Sequence, residues 1–127
     1  MRRAGMLIGA HTVTHPILAR LKPEEVRSEI LDSQQFLESL LQERVSLFAY
    51  PNGKPNIDYR AGDAEVVRGL GFDAAVTTAW GVADFRCDLM QLPRFTPWDK
   101  TRLRFGARLI RNLWQNEQLR SGQMACP

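Results

Sequence analysis

The feature that most constrains the fold is an alternation. Short apolar or β-branched runs, closed by Gly, Pro or Asn, take turns with longer segments whose apolar residues recur at helical spacing. Residues 6–9 are an apolar run ending at Gly9 and predict a buried strand. Residues 11–16 follow as loop, because Pro16 disfavours α geometry at His15, and residues 17–21 can make a short helical turn. Pro23-Glu24-Glu25 is a helix start, since proline suits the first turn and acids there complement the helix dipole. The stripe Val26, Ile30, Leu37, Leu40 and Leu41 carries that helix to about residue 42. Residues 45–50 read as a strand cut off by the turn Pro51-Asn52-Gly53. Residues 63–70 predict a second helix capped by Gly71, and residues 72–78 a further strand. Loop is expected over 79–90, a short strand over 91–94, and a last helix over 100–114. The order strand, helix, strand, helix, strand, loop, helix argues for an α/β domain with a mainly parallel sheet. A single domain over 1–116 is expected, followed by a polar tail over 117–127.

Bulk properties remove several classes of function. The 127 residues suit one domain with a core of its own, and the hydrophobic and charged fractions of 44% and 24% are those of a globular protein. No apolar run nears the roughly 20 residues that cross a bilayer, and the basic start Met1-Arg2-Arg3 leads into too short an apolar stretch for a signal peptide. The localisation expected of the chain as expressed is therefore cytoplasmic. A net charge of +3 is too mild to argue for nucleic acid. In the last helix Arg104, Arg108 and Arg111 lie opposite an apolar stripe of Leu103, Ala107, Ile110 and Trp114, which reads first as the solvated face of an amphipathic helix, with an anion- or nucleic-acid-binding module as the lesser alternative. Cys87 and Cys126 form no CxxC, so neither a disulfide scaffold nor a thiolate zinc site is expected of them.

Three stretches could carry chemistry. The chain's two histidines, His11 and His15, stand four apart just past a predicted strand, at the end of an α/β sheet where ligands and catalytic groups gather. Two neutral imidazoles can hold a borderline metal such as zinc. By spacing alone they could equally be unrelated loop residues. Pro51-Asn52-Gly53 follows the next strand, and such a turn can offer backbone N–H groups to an oxyanion, or be a plain turn. Leu92-Pro93-Arg94 places one Arg after a short strand, where it could orient a carboxylate or simply face water.

Taken together, Ile8-Gly9-Ala10-His11-Thr12-Val13-Thr14-His15-Pro16 resembles the His-Ser/Thr-x-x-His metal motif of the polysaccharide deacetylase family, which includes chitooligosaccharide and peptidoglycan deacetylases. The stretch from Phe48 to Gly53 is similar to the family's next motif in order and spacing, and Leu92-Pro93-Arg94 resembles a Leu-Pro-Arg near the end of some members. The resemblance runs from about residue 4 to 114. It implies part of an irregular (β/α) barrel, with about three to four mainly parallel strands and flanking helices. It also implies that His11 and His15 ligate a divalent metal, most often zinc, and that Thr12 braces their loop. The Asn52 N–H would serve the oxyanion hole, Tyr50 and Asn52 would meet substrate, and Arg94 would stand in as orienter for the Arg replaced by Ala49. The implied substrate is an N-acetylated polysaccharide or oligosaccharide, hydrolysed to acetate and an amine.

The sequence also departs from that pattern. The family uses two adjacent aspartates, one a metal ligand and one the general base, whereas Asp32, Asp58, Asp63, Asp73, Asp84, Asp88 and Asp99 include no adjacent pair. The family's final histidine, usually the general acid, is lacking too. The expectation is a chain that starts at an internal methionine or is a fragment, with an N-terminal half missing. Its metal binding would be weak or absent, its activity alone slight, and its open sheet edges prone to self-association. A non-catalytic metal- or sugar-binding remnant is the alternative, and Asp58 or Asp99 are the carboxylates that could complete the ligand set.

Overall fold

The computed structural model of the protein describes residues 5–94 and 100–121, with side chains up to residue 111. It is a mixed α/β structure. The helices are α1 (Pro23–Leu41), α2 (Ala61–Gly69) and α3 (Arg102–Ser121), and the strands are β1 (Leu47–Ala49) and β2 (Ala74–Val76). The strands pair in parallel, Phe48 opposite Ala75. Single parallel bridges extend this pair on both sides, Ala10 to Phe48 and Val76 to Leu92. Four chain segments thus run the same way in the order Ala10, β1, β2, Leu92; the last three lie where the sequence predicts strands, and Ala10 lies just past the run predicted as the first.

Local chemistry explains the helix ends. Lys22 N–H donates to the Glu25 carboxylate at 2.8 Å, and Arg60 N–H to that of Asp63 at 2.8 Å, so each first turn satisfies a backbone donor that has no intrahelical partner. α1 ends where Gln42 turns left-handed (φ 54°), its N–H bonding Glu38 O at 2.8 Å. Gly71 (φ 83°) follows α2, and its carbonyl accepts from the Arg44 guanidinium at 2.6 Å, while Arg44 also pairs with Asp73.

The core lies between the sheet and the two helices. Val26 and Ile30 of α1 and Ala64 and Val67 of α2 are buried together with Val45, Phe48, Tyr50, Tyr59, Phe72 and Ala75. Burial of each large apolar side chain contributes about 1.5–3 kcal/mol. Buried Gln34 donates to Val45 O at 3.0 Å, which ties α1 to the entry of β1.

Four expectations need correction. Met6 and Leu7 are exposed, and residues 6–9 form no strand: the only pairing there among the described residues is a single bridge at Ala10, one residue past the apolar run. Leu40 is exposed, because it sits at the margin of an α1 stripe that turns Leu37 and Leu41 inward. α3 continues to Ser121, into the stretch expected to be tail, and Leu103 and Ile110 of its apolar stripe face outward rather than into a core. The Trp114 side chain and residues 122–127 lie outside the described residues. Cys87 is disulfide-bonded, whereas no bridge was expected, and Cys126 lies outside the described residues. Among the described residues no helix is long and apolar enough to cross a membrane.

Candidate active site

A parallel sheet delivers the residues that follow each strand to one end. Here that end gathers His11 after Ala10, the turn 50–53 after β1, Thr77 and Thr78 after β2, and Arg94 after Leu92. Gly9 permits the first approach, since a Cβ there would meet Leu47 O at 3.0 Å. Ala10 N–H donates to Leu47 O at 2.8 Å, and Ala49 N–H to Ala10 O at 3.0 Å.

The histidine loop is held by backbone and by one acid. His11 Nδ1 lies 2.6 Å from Ala49 O. A carbonyl can only accept, so Nδ1 carries a proton, and in the neutral ring the lone pair is then on Nε2, the tautomer that a ligating imidazole needs. The rings of His11 and His15 stand 4.9 Å apart, edge to face, and both residues are exposed. Two imidazoles on one tetrahedral zinc, with Zn–N of about 2.0–2.1 Å, hold their ring centroids about 5 Å apart, so this spacing suits a shared ion. Thr12 (φ 62°) and His15 (φ 58°) are left-handed, a conformation that costs about 1–2 kcal/mol for a residue with a Cβ. The Thr12 hydroxyl donates to His11 O at 2.6 Å. Glu29 of α1 accepts three bonds from the loop: Val13 N–H and Thr14 N–H at 2.9 Å on one oxygen, and the Thr14 hydroxyl at 2.7 Å on the other. Partial burial pushes the Glu29 carboxyl up. The bonds from the Thr14 backbone, the Thr14 hydroxyl and the Val13 backbone outweigh it and hold the group below the usual carboxylate range.

The second motif forms a tight turn. Asn52 (φ 57°) and Gly53 (φ 75°) are left-handed, and Gly53 N–H bonds Pro51 O at 2.6 Å. Thr78 clasps the turn, its hydroxyl donating to Asn52 O at 2.7 Å and its N–H to Gly53 O at 2.8 Å. Asn52 N–H donates to no group among the described residues, so it is available to a ligand. Tyr50 is fully buried. Its ring stacks on Tyr59 at 3.9 Å and its hydroxyl donates to Met90 O at 2.9 Å. Burial, and then Tyr59, Asp88 and Asp63 nearby, push its ionisation far above the ordinary tyrosine value, so it stays a neutral donor. Arg94 is exposed beyond the far edge of the sheet, its N–H bonded to Ala79 O at 3.0 Å.

The structure therefore brings together the two imidazoles and sets the Asn52 turn one strand away. It does not bring a carboxylate to them: among the described residues no three metal-binding side chains cluster. Buried Asp58 is engaged elsewhere, its carboxylate accepting from Lys54 N–H at 2.9 Å, and Asp99 lies outside the described residues. Sequence reasoning missed Glu29 and Thr78, whose contacts span 15 and 26 residues and leave no local pattern.

The sequence profile of the polysaccharide deacetylase family matches residues 1–75, more than half of the chain. The chain belongs to that family. A curated polysaccharide deacetylase homologue, YxkH of Bacillus subtilis (strain 168), is 28% identical over 83 residues, 65% of this chain and 28% of the relative. Among solved deacetylases, Streptococcus pyogenes deacetylase PplD in complex with acetate superposes with a TM-score of 0.73 at 27% identity, over 91% of this chain and 46% of that one. A family 4 carbohydrate esterase from Streptomyces lividans, also in complex with acetate, gives a TM-score of 0.54 at 28% identity, covering 64% and 38%. The chain thus spans less than half the length of each of these deacetylase relatives.

Proposed function

We propose that this chain supplies the histidine and oxyanion side of a metal-dependent deacetylase site that removes N-acetyl groups from a polysaccharide or oligosaccharide. One observation carries the reading: two imidazoles at the C-terminal end of a parallel sheet, one in the ligating tautomer through Ala49 O, beside a turn with an available N–H. His11 and His15 would hold a divalent metal, zinc being the natural choice for such donors, and the surrounding domain would be part of a (β/α) barrel. When bound, such an ion acidifies water and polarises a carbonyl. The Asn52 N–H would donate to the acetamide oxygen as charge builds there; the carbonyl of its own peptide, Pro51 O, is held by Gly53 N–H, and Thr78 clasps the two peptides that follow. Exposed Arg94 is free to orient a carboxylate or a sugar.

Tyr50 leaves the substrate-facing group in this proposal, since its buried hydroxyl is committed to Met90 O. No two aspartates are adjacent in this sequence, so the chain by itself would lack a general base. That costs roughly 10²–10⁴-fold in rate beyond any loss of metal. Binding of metal or sugar without turnover is therefore the expected behaviour of the isolated chain.

Zinc titration by calorimetry, on the wild type and on the His11→Ala/His15→Ala double mutant, tests the proposal. Binding near micromolar that disappears in the double mutant supports it. Equal binding in both proteins, or none in either, would sink it.

A further inference from the structure

We infer that Glu29, on α1, is the positioning residue that sets the gap between the two imidazoles. The inference rests on the metal-site reading above and deepens it. Only Thr12, Val13 and Thr14 separate the histidines, and Glu29 grips two of those three residues through both backbone N–H groups and the Thr14 hydroxyl. The grip is bidentate and charge-assisted, hence shorter and stronger than neutral bonds. It acts where the loop most needs holding, since left-handed Thr12 and His15 flank the gripped peptides and each would relax toward extended backbone if released.

The anchor is also rigid. Glu29 precedes buried Ile30 on a 19-residue helix, so its Cα is fixed by the core rather than by the loop. His11 has a second anchor in Ala49 O, whereas the described residues give His15 no polar partner beyond its ring contact with His11. The position of His15 relative to His11 thus depends on the Val13–Thr14 peptides, and these depend on Glu29. Groups that orient metal ligands from outside the ligand shell typically change affinity by about 10–100-fold when removed.

The test uses Glu29→Ala and Glu29→Gln in the full chain, with far-UV circular dichroism to establish folding. Zinc affinity should fall about tenfold or more in Glu29→Ala. It should fall less in Glu29→Gln, which keeps one acceptor oxygen, and the visible absorption of bound Co²⁺ should change shape in Glu29→Ala. Hydrogen exchange of the Val13 and Thr14 amides should quicken in the metal-free Glu29→Ala protein. Unchanged zinc affinity and Co²⁺ spectrum in a folded Glu29→Ala protein would overturn the inference. Should the wild type bind no metal, the metal-site reading fails by itself, and unchanged amide exchange in Glu29→Ala would then overturn the Glu29 clamp separately.

Discussion

Replacing Tyr50 by Phe distinguishes a core role from a substrate-binding one. The ring is fully buried, packed edge to face on Phe48 at 5.1 Å and stacked on Tyr59 at 3.9 Å. Phe keeps those contacts and opens no cavity. What it loses is the 2.9 Å bond to Met90 O, and that carbonyl lies in a residue only 3% exposed. Leaving a buried acceptor without its partner costs about 1–3 kcal/mol, and partial rescue by water or by a shift of the 3-10 turn Leu89–Gln91 sets the expected loss at about 1–2 kcal/mol. Urea unfolding followed by circular dichroism should show the midpoint dropping by about 0.5–1 M at unchanged slope. Zinc binding should stay as in the wild type, because the hydroxyl is bonded to Met90 O and the imidazoles are held by Ala49 O and the Glu29-bound loop. An unchanged midpoint together with weakened binding of a chitooligosaccharide would refute the core assignment and return Tyr50 to the substrate.

Further outcomes follow from the same geometry. Gly53→Ala puts a Cβ at φ 75° within 3.0 Å of Thr78 N and 3.1 Å of Tyr50 O, so a loss of about 1–3 kcal/mol is expected in denaturant unfolding. Ile30→Ala should cost about 2–5 kcal/mol, whereas Leu40→Ala, on the exposed margin of the same helix, should change stability by less than about 0.5 kcal/mol. Partial burial raises the Asp88 carboxyl, but bonds from Met90 N–H, Arg68 and Gln91 hold it below its usual value. Its contribution is therefore complete above the unfolded aspartate pKa of about 3.9 and is lost as pH falls through the depressed folded value. Asp88→Asn should flatten that acid limb in pH-dependent melts.

Much of this was legible in the sequence because punctuation is local. Gly9, Pro16, Pro23, Pro51-Asn52-Gly53 and Gly71 mark the ends of elements, and the mixed α/β order follows from them. The period-two rule could also have warned that Tyr50 shares the face of Phe48 and is buried with it. Helical period alone could not say which edge of the Leu37–Leu40–Leu41 stripe turns outward, because that depends on where the sheet lies. Nor could it show that Leu103 and Ile110 find no core, since an apolar stripe states a need and not its fulfilment. Glu29 looked like any other acid of a charged helix, because its role arises only when the loop folds back over α1.

Ala49 is bonded through both of its backbone groups: its N–H donates to Ala10 O, and its carbonyl accepts from His11 Nδ1. Strand register and imidazole tautomer are thus written into the same residue. A slip of β1 by a single position would turn the neighbouring carbonyl away from the ring, and the histidine could then protonate on its other nitrogen. Insertions or deletions before residue 49 are consequently harsher than any side-chain change at that position. Ala49 itself should accept many replacements, since what the site draws from it is backbone.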